Sequence, residues 1–165
     1  MAETSLGGNP VHTSGDLPAI GSTAPKFSLT KGDMTTLSSA DLAGRKVVLN
    51  IFPSVDTRVC ATSVRTFNER AAGLEGTTVV NVSADLPFAQ ARFCGAEGIE
   101  AVEMGSVFRN PEFLTDYGVG LVDGKFAGLA ARAVVVFDGE GTVLHSQLVP
   151  NIGQEPDYDA ALSAR

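Results

Sequence analysis

Two cysteines, Cys60 and Cys94, are the side chains of this 165-residue chain best suited to covalent chemistry. A cysteine attacks through its thiolate, so what surrounds each sulfur decides its use. Cys60 closes the segment Pro53-Ser-Val-Asp-Thr57-Arg-Val-Cys60. Thr57 stands three residues ahead of it, where a hydroxyl can reach the sulfur or cap a helix. Pro53 sets the chain direction after an apolar run; it can shield a pocket or simply end a strand. Arg132 is the one charge in Leu129-Ala-Ala-Arg132-Ala-Val-Val-Val-Phe137. A guanidinium there is costly to bury without an anion, which is either a carboxylate or the Cys60 thiolate. Cys60 itself is either a nucleophile or a packing cysteine.

Cys94 lies in Arg92-Phe93-Cys94-Gly95, with Gly95 expected to stop a helix. Helix ends fray, so a thiol there can leave its packed position at modest cost and react with another sulfur. The alternative is a second core cysteine beside Phe93. The two histidines, His12 and His145, stand at no finger-like spacing from either cysteine, so no metal site is expected.

These residues need elements to position them. Val47–Phe52, Thr77–Val82 and Ala133–Phe137 are continuous apolar, β-branched runs, the mark of strands buried on both faces. Cys60, Val64, Phe67, Ala71 and Leu74 recur at helical spacing between the first two runs, which predicts a strand–helix–strand unit with Cys60 in the first helical turn. Unpaired N–H groups and the positive end of the helix dipole favour a thiolate at that position. A second helix is expected from about Leu86 to Cys94, with Asp85 as N-cap and Pro87 in the first turn. Residues 24–30 alternate as a half-buried strand, and residues 1–26 suggest a small hairpin. Ser38 or Ser39 can cap a short turn through Leu42 closed by Gly44, and Asp138-Gly-Glu-Gly141 should turn Ala133–Phe137 into Val143–Leu148. A last helix is expected over 157–164. The result is one α/β domain over 1–165, thioredoxin-like, with a mixed central sheet flanked by helices and an N-terminal β-hairpin.

Composition narrows the partners. With 44% hydrophobic and 19% charged residues the chain reads as globular, and its net charge of −7 repels phosphate backbones and anionic membranes. No segment approaches the ~20 apolar residues of a membrane span, and the first ten residues lack the pattern of a secretory signal. A cytoplasmic protein with no nucleic-acid or membrane partner is expected.

Pro53-x-x-x-Thr57-x-x-Cys60 resembles the active-site signature of the peroxiredoxins. Asn50–Thr57, Val59–Arg65, Ser83–Gln90, Arg92–Glu97 and Gly128–Val134 resemble the bacterial thiol peroxidase branch of that family, and the likeness runs from about residue 3 to residue 162. This resemblance implies that Cys60 is the peroxidatic cysteine and Cys94 the resolving cysteine of the same chain. It makes Thr57 and Arg132 the peroxide-activating partners, with Pro53 in the substrate pocket. It further implies no metal, haem or flavin, electrons from thioredoxin or a similar dithiol, hydrogen peroxide and alkyl hydroperoxides as substrates, antioxidant defence, and a homodimer. Arg58 departs from the proline or small residue common in the branch; it either adds a cation near the sulfur or points into solvent. A thiol–disulfide oxidoreductase would carry Cys-x-x-Cys, whereas Ala61-Thr62-Ser63 follows Cys60. A peroxide sensor would use the same residues. On separate helices, the two Cα atoms are expected to lie beyond the ~7 Å limit for a disulfide.

Overall fold

The computed structural model describes residues 1–71 and 73–164. The chain opens with a hairpin of β1 (Glu3–Leu6) and β2 (Asn9–His12). Gly7 and Gly8 turn it, both at positive φ (58° and 84°), as a tight two-residue hairpin requires. Then follow β3 (Ser28–Thr30), β4 (Thr36–Ser38), a 3₁₀ turn (Ser39–Leu42), β5 (Lys46–Ile51), α1 (Arg58–Ala71) and β6 (Thr77–Ser83). The second half comprises α2 (Pro87–Glu97), β7 (Glu103–Ser106), α3 (Glu112–Asp116), β8 (Ala133–Phe137), β9 (Val143–Leu148) and α4 (Tyr158–Ser163).

Seven strands form one mixed sheet in the order β4-β3-β7-β6-β5-β8-β9, parallel across β5, β6 and β7 and antiparallel elsewhere. The central strands are apolar on both faces because both are covered. Val47, Leu49 and Ile51 of β5 and Val80 and Val82 of β6 meet Phe27, Phe113 and Tyr117 on one side. Val48, Val79, Val134 and Val136 meet Phe67 and Ala71 of α1 and Ala161 of α4 on the other. Each fully buried side chain of this size contributes about 1.5–3 kcal/mol. Two asparagines interrupt the second face. Asn50 and Asn81 are paired neighbours on β5 and β6, and Asn50 Nδ2 donates to Asn81 Oδ1 (2.9 Å) and to Ser63 Oγ on α1 (3.2 Å).

Several expectations need correction. Only Ser28–Thr30 of the 24–30 stretch is strand. Leu74 falls beyond α1, which ends at Ala71 with Gly73 following, and is 38% exposed rather than part of the buried face. Asp85 does not cap α2: Leu86 is the N-cap residue, and the Asp85 carboxylate turns to stronger donors elsewhere. Gly95 does not stop the helix. That residue is Gly98, at φ 66°, whose N–H donates to Cys94 O. Cys94 therefore sits a turn inside α2. The strand β7 and helix α3 were not anticipated, being too short for a period to show. Gly105 in β7 is needed by close packing, since a Cβ there would stand 2.6 Å from Leu29 Cδ1.

Candidate active site

Strand pairing assembles the site at one end of the sheet. Ile51, the last residue of β5, pairs with Ala133, the first of β8, and with Val82 near the end of β6. The segment leading to Cys60, the residue before β8 and the residues after β6 therefore emerge side by side. That placement brings Arg132 and Asp85 to the Pro53–Cys60 segment from two different strands.

Cys60 is fully buried in the first turn of α1, packed among Phe52, Val55, Val64 and Phe93. Arg132 is only 1% exposed and is the largest fully buried side chain. Its Nη2 donates to Cys60 Sγ at 2.9 Å, and its Nε donates to Ile152 O at 2.6 Å. No carboxylate pairs with it among the described residues, so the sulfur and the Ile152 carbonyl are the partners of this cation. Nη1 is buried with no hydrogen-bond partner among the described residues. An isolated buried guanidinium costs several kcal/mol, which its hydrogen bonds to the sulfur and to the carbonyl offset in part. The Ile152 carbonyl is held in turn by the N-terminal hairpin. Ile152 N–H donates to Ser5 O (2.8 Å), and the hydroxyls of Thr4 and Ser5 donate to Val149 O and Pro150 O (2.8 Å each).

Thr57 precedes α1, and its hydroxyl donates to Ser54 O (3.0 Å), which leaves the hydroxyl oxygen to act as an acceptor. Pro53 is buried two residues beyond β5. Arg58 opens α1 and is solvent-exposed. Within α1, Ser63 Oγ donates to Cys60 O (2.8 Å) and accepts from Asn50, tying the first turn to the sheet. A cleft of about 410 Å³ opens between the Val55–Arg58 segment and the Arg92–Glu97 face of α2. The ion pair Arg92–Asp56 crosses it and Arg65–Glu97 joins α1 to α2, each at 3.0 Å. Both are largely solvated and worth about 0–1 kcal/mol apiece, too little to lock the helices together.

Asp85 was missed as a site residue. Its carboxylate accepts from Ser54 Oγ (2.6 Å), Val55 N–H (2.9 Å) and Ser83 Oγ (2.6 Å), clamping the loop ahead of Cys60 onto the end of β6. Those donors explain why it does not cap α2. The signal in the sequence was the polar run Ser83-Ala-Asp85 at the end of an apolar strand, with a serine directly after Pro53 to meet it.

Cys94 lies on α2, half-buried, against the same apolar cluster as Cys60. Both thiols are free. Burial pushes the Cys94 thiol upward, so it stays protonated while packed. In the Cys60→Ser variant, alkylation of Cys94 should therefore rise with pH to a midpoint above the ordinary ~8.5. Denaturant should return that midpoint to the ordinary value. A native midpoint at or below it would contradict the packing.

Fold and site so far define a thioredoxin-like α/β protein with an arginine-paired buried cysteine. The Redoxin family model matches residues 19–162. The chain belongs to that family and, within it, to the thiol peroxidases, and it is an enzyme of that class. It is 59% identical over 164 residues to the thiol peroxidases of Mycobacterium bovis and Mycobacterium tuberculosis, an alignment covering 99% of this chain and 98% of each relative. Among solved structures, a peroxiredoxin-like protein from Aquifex aeolicus is 40% identical with a TM-score of 0.91, covering 96% of this chain and 92% of that one. The thiol peroxidase from Chromobacterium violaceum superposes with a TM-score of 0.86 over 96% of this chain and 91% of that one; at 20% identity this speaks to the fold alone. Among the described residues no helix is long and apolar enough to cross a membrane.

Proposed function

We propose that this thiol peroxidase reduces hydrogen peroxide and alkyl hydroperoxides through Cys60, resolves the product with Cys94 of the same chain, and is recycled by thioredoxin or a similar dithiol. The observation that carries this reading is the 2.9 Å contact from Arg132 Nη2 to Cys60 Sγ between two buried side chains. The cation holds the sulfur as a thiolate and turns the unpartnered Nη1 to the oxygen that gains charge.

The Cys60 thiolate attacks one peroxide oxygen, forming S–O as O–O breaks. The leaving alkoxide takes a proton and departs as alcohol, or as water from hydrogen peroxide. Cys60 is then a sulfenic acid. Thr57 accepts a hydrogen bond from the incoming peroxide while its own hydroxyl keeps donating to Ser54 O. Pro53 and Phe52 keep the pocket dry. Cys94 then attacks the Cys60 sulfur as a thiolate, hydroxide leaves as water, and a disulfide forms. Packed Cys94 is held protonated by burial, so it becomes the attacking form once α2 opens and the thiol meets water. A dithiol donor reduces the disulfide and restores both cysteines. The proposed setting is antioxidant defence in the cytoplasm as a homodimer, a state that sedimentation would test.

The reading is tested with thioredoxin, its reductase and NADPH. Peroxide-dependent NADPH consumption is expected with the wild type. Cys94→Ser should consume one equivalent of peroxide and then stall. Undiminished turnover by Cys94→Ser would remove Cys94 from the cycle.

A further inference from the structure

A hydrogen-bond chain joins the two cysteine-bearing segments. On α2, one turn before Cys94, the fully buried Gln90 donates through Nε2 to Ser83 Oγ (3.0 Å) and to Gly105 O (3.1 Å). Ser83 Oγ, at the end of β6, donates onward to Asp85 Oδ2 (2.6 Å). Asp85 accepts in addition from Val55 N–H and Ser54 Oγ, and Ser54 O accepts from both the N–H (3.2 Å) and the hydroxyl of Thr57. Thr57 O takes the N–H of Ala61, next to Cys60 (3.0 Å).

Asp85 thus has two attachments. Its side chain fastens the loop in front of Cys60, while its backbone leads within two residues into the Cys94 helix. Its carbonyl is pinned in turn by Ser106 Oγ (2.5 Å). Peeling α2 from the sheet would break the Gln90–Ser83 bond and pull on the Asp85 backbone, whose carboxylate holds Ser54 and Val55. Polarised chains weaken as a unit when one link goes.

We propose that Gln90, Ser83 and Asp85 are positioning residues that couple the opening of the Cys94 helix to the release of the Cys60 loop. The proposal rests on the two-cysteine cycle above and adds how its halves are synchronised. If α2 opened alone, Cys94 would be freed while oxidised Cys60 stayed enclosed behind Arg132. If the loop opened alone, the sulfenic acid would meet a second peroxide before it met Cys94, and would pass to sulfinic acid. Coupled opening presents both sulfurs together.

The test is amide hydrogen exchange on the reduced protein, with stopped-flow oxidation beside it, for Gln90→Met, Ser83→Ala and Asp85→Asn. Gln90 makes its hydrogen bonds to Ser83 and Gly105 and not to the 53–57 loop, yet Gln90→Met should speed exchange at Val55 and Thr57 about three- to tenfold, the effect of one lost hydrogen bond. Disulfide formation should accelerate by a similar factor, and the first reaction of Cys60 with peroxide should slow. Opposite changes in the two steps are not produced by global destabilisation, which lowers the active fraction alone. Gln90→Met and Asp85→Asn should be non-additive in a double-mutant cycle. Faster exchange in α2 with an unchanged loop, or additive effects, would overturn the coupling. Should Asp85→Asn fail to fold, Gln90→Met and Ser83→Ala carry the test through loop exchange. Failure of the underlying cycle has a different signature: the wild type would form no Cys60–Cys94 disulfide, whereas the exchange result needs no peroxide.

Discussion

Cys60→Ser should abolish peroxide turnover, with a loss of roughly 10⁴-fold or more, as when a catalytic nucleophile is removed. A serine hydroxyl beside Arg132 fills nearly the same space but is not ionised at neutral pH, and oxygen is a poor nucleophile toward a peroxide. The fold should survive, because the site lies among Phe52, Val55, Val64 and Phe93, which the substitution leaves in place. The check is the coupled thioredoxin assay together with a thermal melt. Turnover within tenfold of wild type would move the chemistry to another group.

Arg132→Met should separate activity from stability. Two contributions leave with the guanidinium: the 2.9 Å hydrogen bond to Cys60 Sγ and the unpartnered Nη1 donor. Loss of one such charge-stabilising donor costs about 10²–10³-fold in rate, so the second-order rate constant with peroxide should fall at least that far. Stability should behave otherwise. Removing one partner of a buried pair is costly only while the other keeps its charge, and the Cys60 sulfur can take up a proton and become a neutral thiol. Ile152 O would lose its partner, but one carbonyl is a smaller debt than a buried cation. The melting temperature should hold or rise while the rate collapses. A variant that unfolds with the rate per folded molecule unchanged would make Arg132 structural.

Much of the fold was legible because both faces of the sheet are covered. The runs at Val47, Thr77 and Ala133 are unbroken for that reason, and the strand Ala133–Phe137 matches its expected bounds. The period of Cys60, Val64, Phe67 and Ala71 placed α1 and its buried face. What failed were choices between like residues. Gly95 and Gly98 are both plausible stops, and only the left-handed φ at Gly98 decides between them. Asp85 precedes Pro87 as an N-cap would, but its three donors come from Ser54, Val55 and Ser83, the first two brought by strand pairing that one-dimensional pattern does not reveal. The Arg132 partner was equally hidden. An arginine at the head of an apolar strand needs a buried partner, and the pairing of Ile51 with Ala133 brings Cys60 to it.

The proposed cycle is tested most directly by treating the reduced protein with one equivalent of hydrogen peroxide, quenching, and reading mass and peptide connectivity without reduction. A Cys60–Cys94 cycle predicts a chain lighter by two hydrogens, with the peptides carrying Cys60 and Cys94 linked within one molecule. A chain heavier by oxygen on Cys60 with Cys94 still free, or a linkage between chains, would contradict it.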